Sequence, residues 1–460
     1  YDQREVVGMQ RLYLDRATTS TRDLGVAMLA GSCIGGGTTV NWQTSLPLPD
    51  AIRDEWGEQS GLSIFTGEAF TRSMSAVCDR MNVGTVEAAI NANNDALRRG
   101  CESLGWSWRH SARNAHGCDT TQCGSCVFGC RHGGKQGTAV TFLADAQRIG
   151  DVTIVPNCRA TRVLHERARV SGVRAVARDA DSAMGTEFPV TVRARIVVVA
   201  AGGLQTPALL LRSGLQAQAL GRNLFIHPTS AVAGVYPKPV RAWEGPPQSV
   251  MCDEHAAMQG NYGVLLEVAP VHPGLLALAL PWFGARDHRR RMQQAAHVSA
   301  TIALTRDSEG GRVRVGREGR AAAEYQPDGR TLSHLKRGLA AAARAHVAAG
   351  AEEVLALHSR AHVLQAKQAS AASIDEFCAK ILASALDRNW SPLFSAHQMG
   401  TCRMGADPRT SVCDERGAVR GVEGLFVADA SLFPASSGVN PMVTIMGLAK
   451  LVGEGIGARK

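Results

Sequence analysis

The chain has 460 residues, 45% of them apolar and 20% charged, with a formal net charge of +9. That is enough chain for more than one domain and a large buried core, and the balance is that of an ordinary globular protein rather than a disordered or fibrous one. The positive charge is scattered. Its one short cluster, Arg286-Asp287-His288-Arg289-Arg290-Arg291, has no aromatic platform or known reading module beside it. It is therefore read as a solvated surface loop and not as a nucleic-acid contact, with an anionic surface as the other partner open to it. No run is long and uncharged enough to span a bilayer; the most apolar, 275–283, is bracketed by Pro273 and Pro281. The chain opens at Tyr1 without Met and without a signal-peptide pattern, which suggests a fragment or a processed form.

In chain order, residues 24–34 are apolar and small, and Gly35-Gly36-Gly37 then predicts a tight turn at which backbone can approach a ligand. Periodicity predicts helices over 85–104 and 138–148. From Val152 the pattern changes to strands, at 152–155, 161–165, 172–178 and 187–192, as a small antiparallel unit. Residues 195–200 form an apolar β-branched run that ends in Gly202-Gly203, and Thr206-Pro207 is placed at the start of the next helix. A buried strand, a glycine turn and a helix are parts of a doubly wound nucleotide-binding sheet. Beyond Phe225 the chain is more variable, with strands expected at 298–304 and 311–315 and an Ala-rich helix over 331–349 that Gly350 ends. It returns to the sheet at 424–429.

Two linked signals lie near the C-terminus. One is His397-Gln398-Met399-Gly400-Thr401-Cys402; the other runs from the strand end at Asp429 through Ala430 to Ser437-Gly438-Val439-Asn440-Pro441-Met442. His397 precedes Asn440 by 43 residues. An isolated His of this kind would be a core residue bonded to a carbonyl, and Asn440 alone would be a helix N-cap. An Asn-Pro helix start also aims free N–H groups and a positive dipole end at an electron-rich ligand. Of the twelve cysteines, Cys118, Cys123, Cys126 and Cys130 are spaced C-x4-C-x2-C-x3-C. That density suits an iron–sulfur cluster or zinc, or else small buried thiols or a disulfide. The other cysteines are dispersed, which suits a reducing compartment and slightly favours the cytoplasm.

These segments, with Gly35-Gly36-Gly37-Thr38-Thr39-Val40-Asn41-Trp42, Val197-Val198-Val199-Ala200-Ala201-Gly202-Gly203 and Gly221-Arg222-Asn223-Leu224-Phe225-Ile226-His227-Pro228, resemble the glucose–methanol–choline (GMC) flavoprotein oxidoreductases along nearly the whole chain. The cysteine loop and Gly134-Lys135-Gln136-Gly137-Thr138 resemble the branch that oxidises long-chain fatty alcohols. The resemblance implies an α/β fold: an FAD-binding, doubly wound, mostly parallel sheet, incomplete at the N-terminus, with an inserted substrate domain containing antiparallel strands. The expected divisions are 1–224 for FAD, 225–384 for substrate and 385–460 for the catalytic return. It also implies that Gly35, Gly36, Gly37, Asn41, Asp429, Ala430, Pro441 and Met442 border the flavin and its ribityl–pyrophosphate portion, and that the main chain of Ala160 meets adenine. Some bacterial sugar dehydrogenases of the family hold a three-iron cluster in a comparable cysteine loop.

The implied activity is FAD-dependent oxidation of a primary alcohol, perhaps long-chain, to the aldehyde by hydride transfer to flavin. His397 is expected to take the hydroxyl proton, so that activity rises through its pKa, while Asn440 bonds the same oxygen. Oxygen, a quinone or a cytochrome is the expected electron acceptor. Many sugar-oxidising relatives carry a second His at the Asn440 position; an Asn there resembles the sterol- and choline-oxidising branches instead and leaves one His to act as base. The rival readings are a sugar or sterol dehydrogenase and a non-catalytic scaffold. The scaffold reading draws on the lack of a GxGxxG strand–turn–helix unit. The expectation is that this unit lies upstream of Tyr1 or on another chain, and that the 460 residues alone hold FAD weakly.

Overall fold

The structure, a computed structural model, describes residues 1, 3–121, 123–179 and 185–458. Its largest element is a nine-stranded mixed sheet. Along its main path lie Val26–Met28, Leu393–Ser395, Thr229–Val235, Val298–Thr305, Val264–Ala269, Val250–Cys252 and Arg109–His110, with Glu353–Ala356 and Val363–Gln365 branching from Thr229–Val235. The central pairs are antiparallel, with Val232 opposite Thr301 and Glu267 opposite Ile302. Val26–Met28 runs parallel to Leu393–Ser395. The second parallel pair is Val197–Val199 with Leu425–Val427, the buried strand and the return strand read from sequence. The antiparallel unit read after Val152 forms from Cys158–Glu166, Arg169–Arg178 and Glu187–Arg193. Residues 152–155 do not join it, and Val152 and Val155 are exposed.

The Ala-rich helix, Gly329–Ala348, starts two residues before its expected position because Asp328 caps it, accepting from the N–H groups of Arg330 and Thr331 at 2.9 and 3.1 Å. Small residues let it lie close on the large sheet. A Cβ on Gly338 would stand 2.8 Å from Val264, and one on Gly100 would strike the backbone of Ala345. The helix expected over 85–104 is Ala92–Leu104, since Asn91 takes the N–H of Asn94 at 2.9 Å and fixes the start there. The helix expected from Thr138 is Phe142–Ile149, because the Thr138 N–H is already held by Thr38 Oγ1 at 2.9 Å. The arginine cluster is also helical, Ala285–Gln293, rather than a loop. Arg291 is buried and paired with Asp287 and Glu353 at 2.8 Å each, while Arg286 and Arg289 stay exposed. Among the described residues no helix is long and apolar enough to cross a membrane.

The helix after Val199 is Gly202–Arg212, so Pro207 lies inside it and not at its first turn. A proline there cannot donate to the carbonyl one turn back, that of Gly203. The Thr401 hydroxyl supplies the missing donor at 2.7 Å, and both Thr401 and Gly203 are buried. The segment that carries His397 is thereby stitched to the strand–helix junction. Replacing Thr401 by Val keeps the shape and orphans a buried carbonyl. Urea unfolding of Thr401→Val should lose about 1–3 kcal/mol of stability; an unchanged midpoint and slope would show that the carbonyl is satisfied another way.

Candidate active site

The glycine turn is built as the sequence suggested. Gly35 and Gly36 have φ of 87° and 53°, which side chains other than Gly adopt at a cost. Thr38 Oγ1 donates to the Gly35 carbonyl at 2.6 Å, and Thr138 Oγ1 lies 2.9 Å from Thr38 Oγ1. On the outer face of the turn, a Cβ on Gly36 or Gly37 would meet nothing within 4 Å. Behind it, the ammonium of Lys135, 4% exposed, donates to the carbonyls of Thr39, Asn41 and Cys126 at 2.8, 2.8 and 2.7 Å. Burial without a carboxylate partner lowers its pKa to about 8.

The turn meets the start of the C-terminal helix, Met442–Gly457, where the Asn41 amide approaches Met442 Sδ at 2.9 Å. Pro441, not Asn440, occupies the N-cap position, and no side chain caps this helix. The expected cap role of Asn440 is thus replaced by another contact: its amide Nδ2 reaches Glu267 Oε2 at 3.4 Å, and its Oδ1 is buried without a partner. Two residues earlier, the Gly438 N–H donates to His227 Nε2 at 3.0 Å. The other ring nitrogen of His227 lies 3.1 Å from His397 Nδ1, with the rings edge to face. Burial pulls the His397 pKa down to about 4, and burial together with His397 and Arg306 pulls His227 far below an ordinary imidazole. Both rings are neutral near pH 7.

His227 and Glu267 were not singled out as site residues from sequence. Glu267 is 1% exposed in the apolar strand Val264–Ala269. It accepts from Gln248 Nε2 at 2.8 Å, Thr44 Oγ1 donates to Gln248 Oε1 at 2.6 Å, and Glu267 Oε1 has no partner. Burial raises its pKa to about 7, with the Asn440 and Gln248 amides opposing. An acidic residue in an otherwise apolar strand was the available signal. Asp307 supports the same region, taking the Ile226 N–H at 2.7 Å and the Ser436 hydroxyl at 2.6 Å. Burial raises its pKa to about 6.

Other expected residues fall elsewhere. The Asp429 carboxylate is used by the protein itself: one oxygen takes the Gly202 N–H and Thr206 hydroxyl at 2.8 and 2.5 Å, the other the Ser431 N–H and hydroxyl at 2.8 and 2.6 Å. It staples the return strand to the N-terminus of Gly202–Arg212, with buried Ala430 beside it. Ala160 lies on Cys158–Glu166 at a register shift, on the sheet that packs against that helix. Cys118, Cys123, Cys126 and Cys130, whose spacing left a metal cluster, buried thiols and a disulfide open, are all unbridged in the structure. Among the described residues no three His, Cys, Asp or Glu side chains are arranged to hold a metal ion. The thiols face separate partners: Cys126 the Gln43 amide at 3.2 Å, Cys130 the Lys135 N–H at 3.4 Å and Cys118 the Asp119 carbonyl at 3.7 Å. Burial raises the Cys118 thiol to about 11.

The turn thus meets the helix start, and His397 is linked through His227 and Gly438 to the loop that carries Asn440; Asn41 Oδ1, Asn440 Oδ1 and the hydroxyl of Thr444 are buried without partners. Unsatisfied buried polar atoms beside open glycine faces fit a polar, planar ligand such as a flavin. The GMC oxidoreductase profiles match residues 9–229 and 272–449, for the family's N- and C-terminal regions. The chain belongs to the GMC oxidoreductase family. It is 36% identical to long-chain-alcohol oxidase FAO4A of Arabidopsis thaliana over 97% of its own length and 61% of that protein. It is 33% identical to a GMC-type oxidoreductase of Mycobacterium tuberculosis, over 95% of this chain and 66% of that one. The chain thus spans about three-fifths of the plant oxidases it matches, 60–62%. Among solved structures, pyridoxine 4-oxidase from Mesorbium loti shares the fold with a TM-score of 0.66 at 19% identity, covering 94% of this chain and 85% of that one. Formate oxidase shares it with a TM-score of 0.63 at 14% identity, over 94% and 85%.

Glu267 gives the site a pH signature in stability. Its pKa is 4.5 ordinarily and about 7 when folded, so the folded state holds the extra proton between those values. The contribution is complete below the lower value and is lost as pH rises through the upper one. Relative to wild type, Glu267→Gln should therefore gain stability between pH 5 and pH 8, by on the order of 3 kcal/mol at most. Denaturant titrations of both proteins at both pH values read this directly. A wild-type-to-variant difference that does not change with pH would contradict the buried carboxyl assignment.

Proposed function

We propose that this protein oxidises a primary alcohol, of the long-chain class, to its aldehyde with FAD as cofactor. The observation that carries the reading is that Asn41, beside the Gly35–Gly37 turn, meets the uncapped start of Met442–Gly457, while His397 is linked through His227 and Gly438 to the loop that carries Asn440. Gly36, Gly37, Asn41, Pro441 and Met442 would border the flavin, and the free N–H groups and positive dipole end of the helix favour its electron-rich side. Asp429 serves indirectly by fixing Gly202–Arg212 and placing Ala430. Ala160 is assigned to the adenine side on family resemblance alone.

Bound FAD would supply the acceptor for the hydride of the carbinol carbon. The chain's own residues handle the oxygen: His397 and Asn440 address the hydroxyl from two elements, each held by a hydrogen bond to the substrate-side sheet or its flanking loop. Leu46, Met251, Leu265, Leu304 and Val439 form an apolar cluster next to Asn440. The plant relatives named as long-chain-alcohol oxidases, at 31–36% identity, support the long-chain class.

In FAD-loaded protein mixed anaerobically with a long-chain primary alcohol, His397→Ala should slow bleaching of the flavin by about 10²–10³-fold, the usual worth of a group acting on developing oxyanion charge. Apparent substrate affinity should move far less. Wild-type reduction kinetics in the variant would remove His397 from the reaction.

A further inference from the structure

The apolar run after Pro273 leads directly into the arginine cluster, and the structure folds the two into a hairpin at the surface. The short helix Pro273–Ala279 ends at Leu280-Pro281, and the chain turns into Ala285–Gln293. Leu276 and Leu280, four residues apart, face inward and join the main core. Leu278, on the opposite side, is 85% exposed, and Trp282 beyond the turn is 67% exposed. Trp282 leans on the second helix, its ring 5.1 Å from that of His288.

The hairpin is anchored at its base, so these side chains are held in place. Glu5 takes the N–H groups of Gly274 and Leu275 at 2.8 and 3.1 Å, and His272 Nε2 lies 3.1 Å from the Gly124 carbonyl. Arg291 ties the second helix to Glu353 of the large sheet. The charges divide unevenly. Asp287 and Glu353 are both taken by Arg290 and Arg291. Arg286 and Arg289 are exposed, and among the described residues neither has an ion-pair or hydrogen-bond partner. An exposed leucine and an exposed tryptophan thus share one hairpin with two uncompensated positive charges.

We propose that this hairpin docks the protein on an anionic lipid bilayer, with Leu278 and Trp282 entering the boundary between headgroups and acyl chains and Arg286 and Arg289 meeting the negative headgroups. Leucine and tryptophan side chains gain by leaving water, and an indole suits the bilayer interface, where its ring is apolar and its N–H stays wet. Unpaired guanidinium groups are drawn to the negative surface potential of such a bilayer. A protein partner fits less well, since a stable protein interface buries about 800 Å² per side around a packed apolar centre. Two side chains projecting from a hairpin offer an insertion point instead. Nucleic acid would use the arginines and leave Leu278 in water. The attachment is peripheral, because neither helix is long enough to cross a membrane. One supporting point rests on the alcohol-oxidising reading: every methylene of a long-chain alcohol drives it into the same bilayer.

The test is co-sedimentation of the full chain with vesicles of phosphatidylcholine and phosphatidylserine in a three-to-one ratio, beside vesicles of phosphatidylcholine alone. The protein is expected in the pellet with the anionic vesicles, to bind the neutral ones about tenfold more weakly or less, and to be released by high salt. Leu278→Ser with Trp282→Ser, and separately Arg286→Glu with Arg289→Glu, should each lower the partition coefficient about tenfold or more. All four side chains are exposed, so the unfolding midpoints of both double variants should match wild type, which separates a lost surface from a lost fold. Lipids brominated on their acyl chains should quench tryptophan fluorescence in wild type, and the quenching should disappear in Trp282→Phe, which keeps the apolar bulk. Absence from both pellets, equal binding of neutral and anionic vesicles, undiminished binding in either double variant, or quenching that survives Trp282→Phe overturns the proposal. So does a dimer that Leu278→Ser with Trp282→Ser abolishes in a protein that ignores vesicles, because the hairpin would then meet a second copy. Vesicle binding needs neither FAD nor alcohol. A chain that binds the bilayer but whose flavin no long-chain alcohol reduces would count against the functional reading and leave the surface assignment standing.

Discussion

The loop from Ser436 to Met442 is the constraint on which the rest of the site depends. Ser436 donates to Asp307 at 2.6 Å, Ser437 to the Val439 carbonyl at 2.7 Å, and Gly438 to His227 at 3.0 Å. Asn440 bonds Glu267, and Met442 meets Asn41. Successive residues are thus tied to the large sheet, to the loop that carries His227 and to the glycine turn, all in a buried setting where an unmade hydrogen bond is costly. One short segment sets the spacing between the large sheet and the glycine turn. The helix behind it is held in turn, since Ser73 donates to the Gly447 carbonyl at 2.7 Å.

The parts legible in sequence were those with local signatures. The glycine turn, the Val197–Val199 strand and the Asn-Pro helix start each needed particular residue types in a row; the first two formed where expected, and the helix began one residue later, with Pro441 as its cap. His397 and Asn440 were legible as a pair only through family resemblance, because 43 residues separate them. His227 was hidden for another reason. It lay within a segment that fits the family, yet its ring contacts, Gly438 and His397, lie 211 and 170 positions away. Helix starts were misplaced wherever a side chain competed for backbone donors: Asn91 and Thr38 moved two of them, and Thr401 made Pro207 tolerable inside a third.

The cysteine loop illustrates the limits of spacing. Its pattern left a cluster, buried thiols and a disulfide open, and Lys135 occupies the junction between that loop and the glycine turn, binding the carbonyls of Thr39, Asn41 and Cys126. A buried ammonium surrounded by carbonyl oxygens is a strut. The thiols around it pack against separate donors and acceptors, so the loop shapes the back of the turn whose other face is open. Asp429 works in the same way from the other side, as a staple between a strand and a helix N-terminus.

The account comes down to an alcohol held by His397 and Asn440 so that its carbinol hydrogen leaves as hydride. The most direct measurement is anaerobic reduction of FAD-loaded protein by a long-chain primary alcohol, compared with the same alcohol deuterated at the carbinol carbon. The account predicts that the flavin bleaches and that deuteration slows bleaching without changing its extent. Flavin that stays oxidised with such alcohols, or bleaches at the same rate with both isotopologues, would contradict it.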